Sequence, residues 1–258
     1  MSTKSFAQAL LAGLIILLAG GSNPVLADDS EVDKAQTILI TGANRGIGLE
    51  LARQYSEAGW QVIGTARKPD AAEDLASLGA DVLQLDVTDQ ESVLGLAQAL
   101  DDRPIDLLIN NAGIQPLMWK LADVDFGAFD RALAVNTTGP VRVTQALLPN
   151  LRAGQGRLIV NITSNLGSIA ENADGAFYGY RESKAALNMF TKSLAGEFGP
   201  EGFICIVMNP GWVQTDMGGN QAPLQVHESV AGIRRVIEGL EPSDNGTFRT
   251  WAGETMEW

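Results

Sequence analysis

From Thr37 onward, short apolar runs rich in β-branched residues alternate with longer stretches whose apolar positions recur every three or four residues. The short runs predict strands at Thr37–Thr41, Gln61–Ala66, Asp81–Asp86, Ile105–Asn110, Arg157–Thr163, Gly202–Asn209 and Thr247–Trp251. The longer stretches predict helices at Gly46–Ala58, Gln90–Leu100, Phe126–Leu151 and Tyr180–Phe198. Near-continuously apolar strands are buried on both faces, and strands alternating with helices pair in parallel. The pattern therefore predicts one doubly wound α/β domain with a mostly parallel seven-stranded sheet. Its ligand crevice should lie beyond the carboxyl ends of the strands. No internal repeat or second domain is visible in residues 28–258. Trp212–Val226, with Gly218-Gly219 and Pro223, reads as a long mobile segment near the crevice.

The first 27 residues follow a different pattern. Lys4 precedes an apolar stretch from Phe6 to Gly20, and small residues end at Ala27. This reads as a signal peptide, with an uncleaved membrane anchor as the alternative. Either places the protein outside the cytoplasm or tethers it to a membrane; a cytoplasmic location is the remaining option. A net charge of −13 argues against nucleic acid and anionic membranes as partners. The single cysteine, Cys205, and single histidine, His227, exclude an internal disulfide and Cys/His metal clusters. Cys205 reads as a buried small hydrophobe and His227 as a surface helix residue.

Chemistry enters directly after the first strand. Thr41-Gly42-Ala43-Asn44-Arg45-Gly46-Ile47-Gly48 leads into a helix pattern. Glycines there allow a sharp turn and a close backbone approach to a pyrophosphate at a helix N-terminus. Between a strand and a helix, this reads as the phosphate loop of a Rossmann-type, dinucleotide-binding domain. With Asn110-Asn111-Ala112-Gly113 after the fourth strand, and Tyr180 and Lys184 four residues apart, the chain resembles the short-chain dehydrogenase/reductase family from about Thr37 onward.

Charge at the end of the second strand bears on the cofactor. An acid there holds the ribose 2′-hydroxyl of NAD, whereas an arginine accommodates a 2′-phosphate. Here Ala66 takes the place of the acid and Arg67 follows, with Arg45 in the glycine loop as a second cation. Guanidinium groups suit a phosphate dianion, so NADPH is expected rather than NADH. The resemblance adds Asp86 and Val87 as an adenine-binding pair. It also adds Asn110, Ala112 and Gly113 beside the cofactor, and Pro210, Gly211, Val213 and Thr215 over its nicotinamide end.

Tyr180 and Lys184 share one helix face. A nearby ammonium favours the phenolate and should bring the tyrosine toward useful proton transfer. Tyr178 is a competitor, but Glu182 stands four residues beyond it and would act in the opposite sense. Ser164 ends the fifth strand at the crevice edge, while strand alternation sends Thr163 to the other side. The family resemblance implies that Ser164 hydrogen-bonds the substrate oxygen, and that Asn136 helps hold a relay water linking Lys184 to solvent.

The interval from Ser164 to Tyr180 is sixteen residues, long for the family. The surrounding sequence is similar to the branch that contains the C-factor proteins and the sniffer-type carbonyl reductases. That resemblance implies NADPH-dependent reduction of a small ketone, aldehyde or quinone, in a dimer or tetramer. Trp212, Met217, Leu117 and Trp119 read either as apolar lining or as lid and core packing. The main rival is a C-factor-like dinucleotide-binding signalling protein with little turnover. The intact Tyr180, Lys184, Ser164 and Asn136 set argues against it, because a pure binder needs no proton relay. Export conflicts with access to the reduced nicotinamide pool, and the sequence leaves that conflict open.

Overall fold

The computed structural model describes residues 35–258, so the leader read at 1–27 lies outside the described residues. The strands are β1 (Thr37–Ile40), β2 (Gln61–Ala66), β3 (Asp81–Gln84), β4 (Leu107–Asn110), β5 (Leu158–Ile162), β6 (Ile204–Asn209) and β7 (Phe248–Thr250). They form one sheet in the order β3-β2-β1-β4-β5-β6-β7. Every neighbouring pair is parallel, so the sheet goes beyond the mostly parallel expectation. β1 lies beside β4, with Ile38 opposite Leu107, and there the strand order changes direction. Such a switch point opens a crevice at the carboxyl edge.

The helices are α1 (Gly46–Glu57), α2 (Glu73–Ser77), α3 (Gln90–Leu100), α4 (Phe126–Leu133), α5 (Gly139–Ala146), α6 (Leu148–Ala153), α7 (Tyr180–Phe198) and α8 (Val226–Glu238). Side-chain alternation divides the core between the two faces of the sheet. Ile38, Ile40 and Ile109 pack with Leu51 of α1 and Ile233 of α8. Leu39, Leu108 and Ile159 pack with Val93 of α3, Val143 of α5 and Leu194 of α7. Cys205 belongs to this second layer, wholly buried, and burial pushes its thiol up to about 12. Among the described residues, no helix is long and apolar enough to cross a membrane.

One long helix was expected over Phe126–Leu151, but the chain breaks it twice. After α4 comes a π-helical turn, Ala134–Thr138, then α5 and α6. Pro140 and Pro149 sit in the first turns of α5 and α6. A proline has no N–H for the helix ladder, and its ring collides with the carbonyl four residues back. The apolar spacing continues through both breaks and hides them. The π turn carries Asn136, and single π turns of this kind are frequent at functional sites.

Candidate active site

Beyond the carboxyl edge of the sheet lies a cavity of about 470 Å³. Its lining comes from the glycine loop, the ends of β2 and β3, the loop after β4 and the start of α7. α1 begins at Gly46 with no side-chain cap and no acid in its first turn. Gly46, Ile47 and Gly48 line the cavity, so the uncapped N–H groups and the positive end of the helix dipole are available to a phosphate. Gly46 has φ +55°, a conformation that L side chains rarely adopt. At Gly48 a Cβ would lie 2.4 Å from the Gly42 carbonyl oxygen and 2.5 Å from Asn111 Nδ2. Gly48→Ala is therefore expected to force the loop apart. With one or two charge-assisted hydrogen bonds lost, the expected nicotinamide dinucleotide should bind about 100-fold more weakly in a fluorescence titration.

The loop after β4 is locked onto this turn. The Thr41 hydroxyl accepts the backbone N–H groups of Asn111 and Ala112, both at 3.0 Å. Asn111 Nδ2 donates back to the carbonyls of Thr41 (2.9 Å) and Gly42 (3.1 Å). Thr41 thus holds the loop and does not itself line the cavity. Asn110 is turned away as well. Its buried amide donates to Asn161 Oδ1 at 2.8 Å and to Thr144 Oγ1 at 3.2 Å, beneath the site. Asn111, its neighbour, is the asparagine that faces the cavity. The paired asparagines gave no indication of which one turns outward.

At the other end of the cavity stand Ala66, Arg67, Asp86 and Val87. Asp86 Oδ1 accepts the Thr88 hydroxyl at 2.7 Å and the Thr88 N–H at 2.9 Å. These bonds hold its carboxyl below the usual range, and the fields of Arg67 and Arg131 act in the same direction. Arg131, on α4, also lines the cavity and carried no signal in the sequence. Arg45 lines the cavity too, paired with Asp216: its Nη1 lies 3.1 Å from Asp216 Oδ2, and both side chains are largely exposed. Arg67 and Arg131 enter no ion pair among the described residues.

Tyr180 opens α7, and Glu182 steadies that helix start by accepting the Gly179 N–H at 2.5 Å. Burial pushes the Tyr180 phenol up to about 12, and a hydrogen bond with the Ser164 hydroxyl pulls in the opposite direction. Burial lowers Lys184 to about 8. Its ammonium donates to the Ile162 carbonyl at 2.8 Å and lies 5.8 Å from the centre of the Tyr180 ring. Desolvation thus sets the direction for the phenol, opposite to the lowering expected from this ammonium. Ser164 Oγ also accepts the Leu166 N–H at 3.1 Å, and the Thr163 hydroxyl donates to Asn188 Oδ1 at 2.7 Å; yet Thr163, expected on the other side, lines the cavity and Ser164 does not.

Asn136 is wholly buried in its π turn. Its Oδ1 accepts the Ile114 N–H at 2.9 Å, and its Nδ2 donates to the Ile114 carbonyl (2.8 Å) and Ser183 Oγ (2.9 Å). Those bonds fasten the loop after Gly113 to α7 between Tyr180 and Lys184. No hydrogen bond joins Asn136 to Lys184 directly; both approach the space beside Gly113. Pro210 and Thr215 line the cavity, whereas Gly211 and Val213 do not. The expected mobile segment is tied by its own hydrogen bonds, among them Gln214 N–H to Leu224 O at 2.9 Å and Trp212 Nε1 to Gly218 O at 2.8 Å.

Comparison with known proteins shows the family. The family profile for short chain dehydrogenase matches residues 36–225. The chain belongs to the short-chain dehydrogenase family. It is therefore an NAD(P)-dependent oxidoreductase by family. C-signal of Myxococcus xanthus is 48% identical over 155 residues, spanning 60% of this chain and 93% of that protein. Among solved structures, the carbonyl reductase Sniffer of D. melanogaster superposes with a TM-score of 0.81 at 34% identity, covering 87% of this chain and all of that one. An NADPH-bound carbonyl reductase from chicken fatty liver gives 0.80 at 32%, covering 87% and 99%. Within the short-chain dehydrogenases the protein therefore sits in the C-signal and Sniffer branch.

Proposed function

We propose that the protein reduces a small ketone, aldehyde or quinone with NADPH, using Tyr180 as the proton donor. The observation that carries this reading is that Tyr180 and Lys184 open onto the same cavity as the uncapped N-terminus of α1. When bound, the cofactor supplies hydride to the carbonyl carbon. The residues supply the rest. A phenol near 12 is a neutral acid at ordinary pH, ready to protonate an oxygen on which alkoxide charge develops. Ser164, hydrogen-bonded to the phenol, orients the carbonyl oxygen. Lys184 would offer its positive charge to the sugar of a bound cofactor, and Asn136 and Thr41 position the surrounding loops. Arg67 would receive a 2′-phosphate, with Arg131 as a second unpaired cation at that end of the cavity, and Asp86 and Val87 would hold the adenine.

The testing experiment offers the purified protein NADPH and a panel of reactive carbonyls. Consumption of NADPH with formation of the matching alcohol is expected. Binding without consumption would favour the signalling reading, which the 48% identity to C-signal keeps in view. Residues 1–27 we read as an export signal or membrane tether, and sequencing the N-terminus of the protein recovered from fractionated cells tests it. A tether that leaves the domain facing the cytoplasm would reconcile such a leader with a need for NADPH. Self-association into a dimer or tetramer belongs to the same reading, and Phe126 and Met189 supply exposed apolar surface for it.

A further inference from the structure

A cavity that takes the phosphates of a nucleotide gains nothing from a bare carboxylate on its wall, because like charges repel. Two acids line this one, Asp86 and Asp216. Asp86 is occupied by the Thr88 hydroxyl and N–H at one end. Asp216 stands on the loop after β6, and its carboxylate faces Arg45 of the glycine loop at 3.1 Å. Among the described residues, this is the only hydrogen bond between the glycine loop and residues 212–226.

Elsewhere these two walls meet by packing alone. A Cβ at Gly46 would lie 3.5 Å from Thr215 Cγ2, so Thr215 sits directly against the start of α1. Around Thr215 the chain braces itself. Trp212 Nε1 donates to the Gly218 carbonyl, the Gly218 N–H to Thr215 Oγ1 at 3.1 Å, and the Gly219 N–H to the Thr215 carbonyl at 2.8 Å. Gly211 and Gly219 flank this turn at φ +83° and +73°. A braced turn between two such glycines moves as one piece, with the glycines absorbing the change in backbone angle. The ion pair fastens that piece to the glycine loop.

We infer that Asp216 is a positioning residue: through Arg45 it pins the turn at 212–218 across the mouth of the cavity, and the pair must part before a nucleotide enters or leaves. The inference rests on the dinucleotide of the reading above and on no step of turnover. The two side chains are 69% and 81% exposed, so the latch is weak and sensitive to salt. It slows exchange without sealing the site.

The test follows NADPH association and dissociation in the full chain by stopped-flow fluorescence, with dissociation started by excess NADP+. Asp216→Asn is expected to raise both rates about threefold, the size of one exposed ion pair, and to leave Kd within about twofold. Added salt should speed dissociation more steeply from the unaltered protein than from Asp216→Asn. Asp216→Glu keeps the charge and should restore slow exchange. Tighter binding with slower dissociation in Asp216→Asn would overturn the latch, because the carboxylate would then only repel phosphate. Rates that ignore the substitution would overturn it as well. Hydrogen exchange on the nucleotide-free protein separates the latch from the cofactor reading. Asp216→Asn should speed exchange at residues 42–48 and 212–219 about threefold, whether or not NADPH binds. Faster exchange in a protein that binds no NADPH refutes the cofactor reading and keeps the latch; unchanged exchange at both stretches refutes the latch alone.

Discussion

Tyr180→Phe is expected to lower kcat for carbonyl reduction by about 1,000-fold, within the range that a positioned general acid contributes. The ring stays, so the packing of α7 and the affinity for NADPH should hold. Only the proton donor is lost, together with its hydrogen bond to Ser164. A parallel loss of NADPH binding would mean that the hydroxyl shapes the cavity instead of delivering a proton. The pH profile of the unaltered protein should follow Lys184, whose burial lowers it from 10.5 to about 8. It is a cation below that value and neutral above, so reduction should decline as pH rises through about 8. Tyr180, near 12, stays protonated across that range. Lys184→Arg keeps its charge and should flatten the alkaline limb. The same shift has a consequence for folding. Between about 8 and 10.5 the unfolded chain holds this lysine's proton and the folded chain does not. Its burial therefore costs stability below about pH 8, and that cost is relieved as pH rises toward 10.5.

The second large effect concerns cofactor choice. Arg67→Ala should weaken NADPH about 30-fold and leave NADH nearly unchanged, since only the former carries the 2′-phosphate. Adding Ala66→Asp places an acid where a ribose hydroxyl would be held and a phosphate repelled, and should reverse the preference. Paired titrations with the two nucleotides measure both changes. Equal weakening of NADPH and NADH by Arg67→Ala would show that the arginine supports the loop without reading the phosphate. Arg45 was expected to share this work. In the structure Arg45 lines the cavity with its guanidinium toward Asp216, while Arg67 and Arg131 line it without an ion pair.

The fold was readable because alternation and apolar runs are local properties that the sheet uses directly. All seven strands lie where their patterns place them, although several stop early as their last residues turn toward the crevice. The glycine loop, Tyr180 and Lys184 were legible because their spacing is itself the geometry. What escaped was set by three-dimensional packing. The π turn around Asn136 arises where apolar periodicity passes unbroken through a proline, so a single helix was expected. Asn110 and Asn111 are adjacent amides, and only the pleat decides that one faces Thr144 while the other faces the glycine turn. Arg131 reaches the adenine end from a helix whose sequence carries no nucleotide signal. The tyrosine's proton affinity also ran opposite to expectation, because spacing shows a neighbouring charge but not the loss of water around both groups.

The most direct test of the central claim is a turnover with NADPH carrying deuterium at the transferable position of its reduced ring, offered with an aryl ketone. The account predicts one deuterium on the carbinol carbon for each NADPH consumed, with label appearing about 1,000-fold more slowly in Tyr180→Phe. A protein that binds the nucleotide tightly yet returns the ketone unlabelled and the NADPH unoxidised would contradict it.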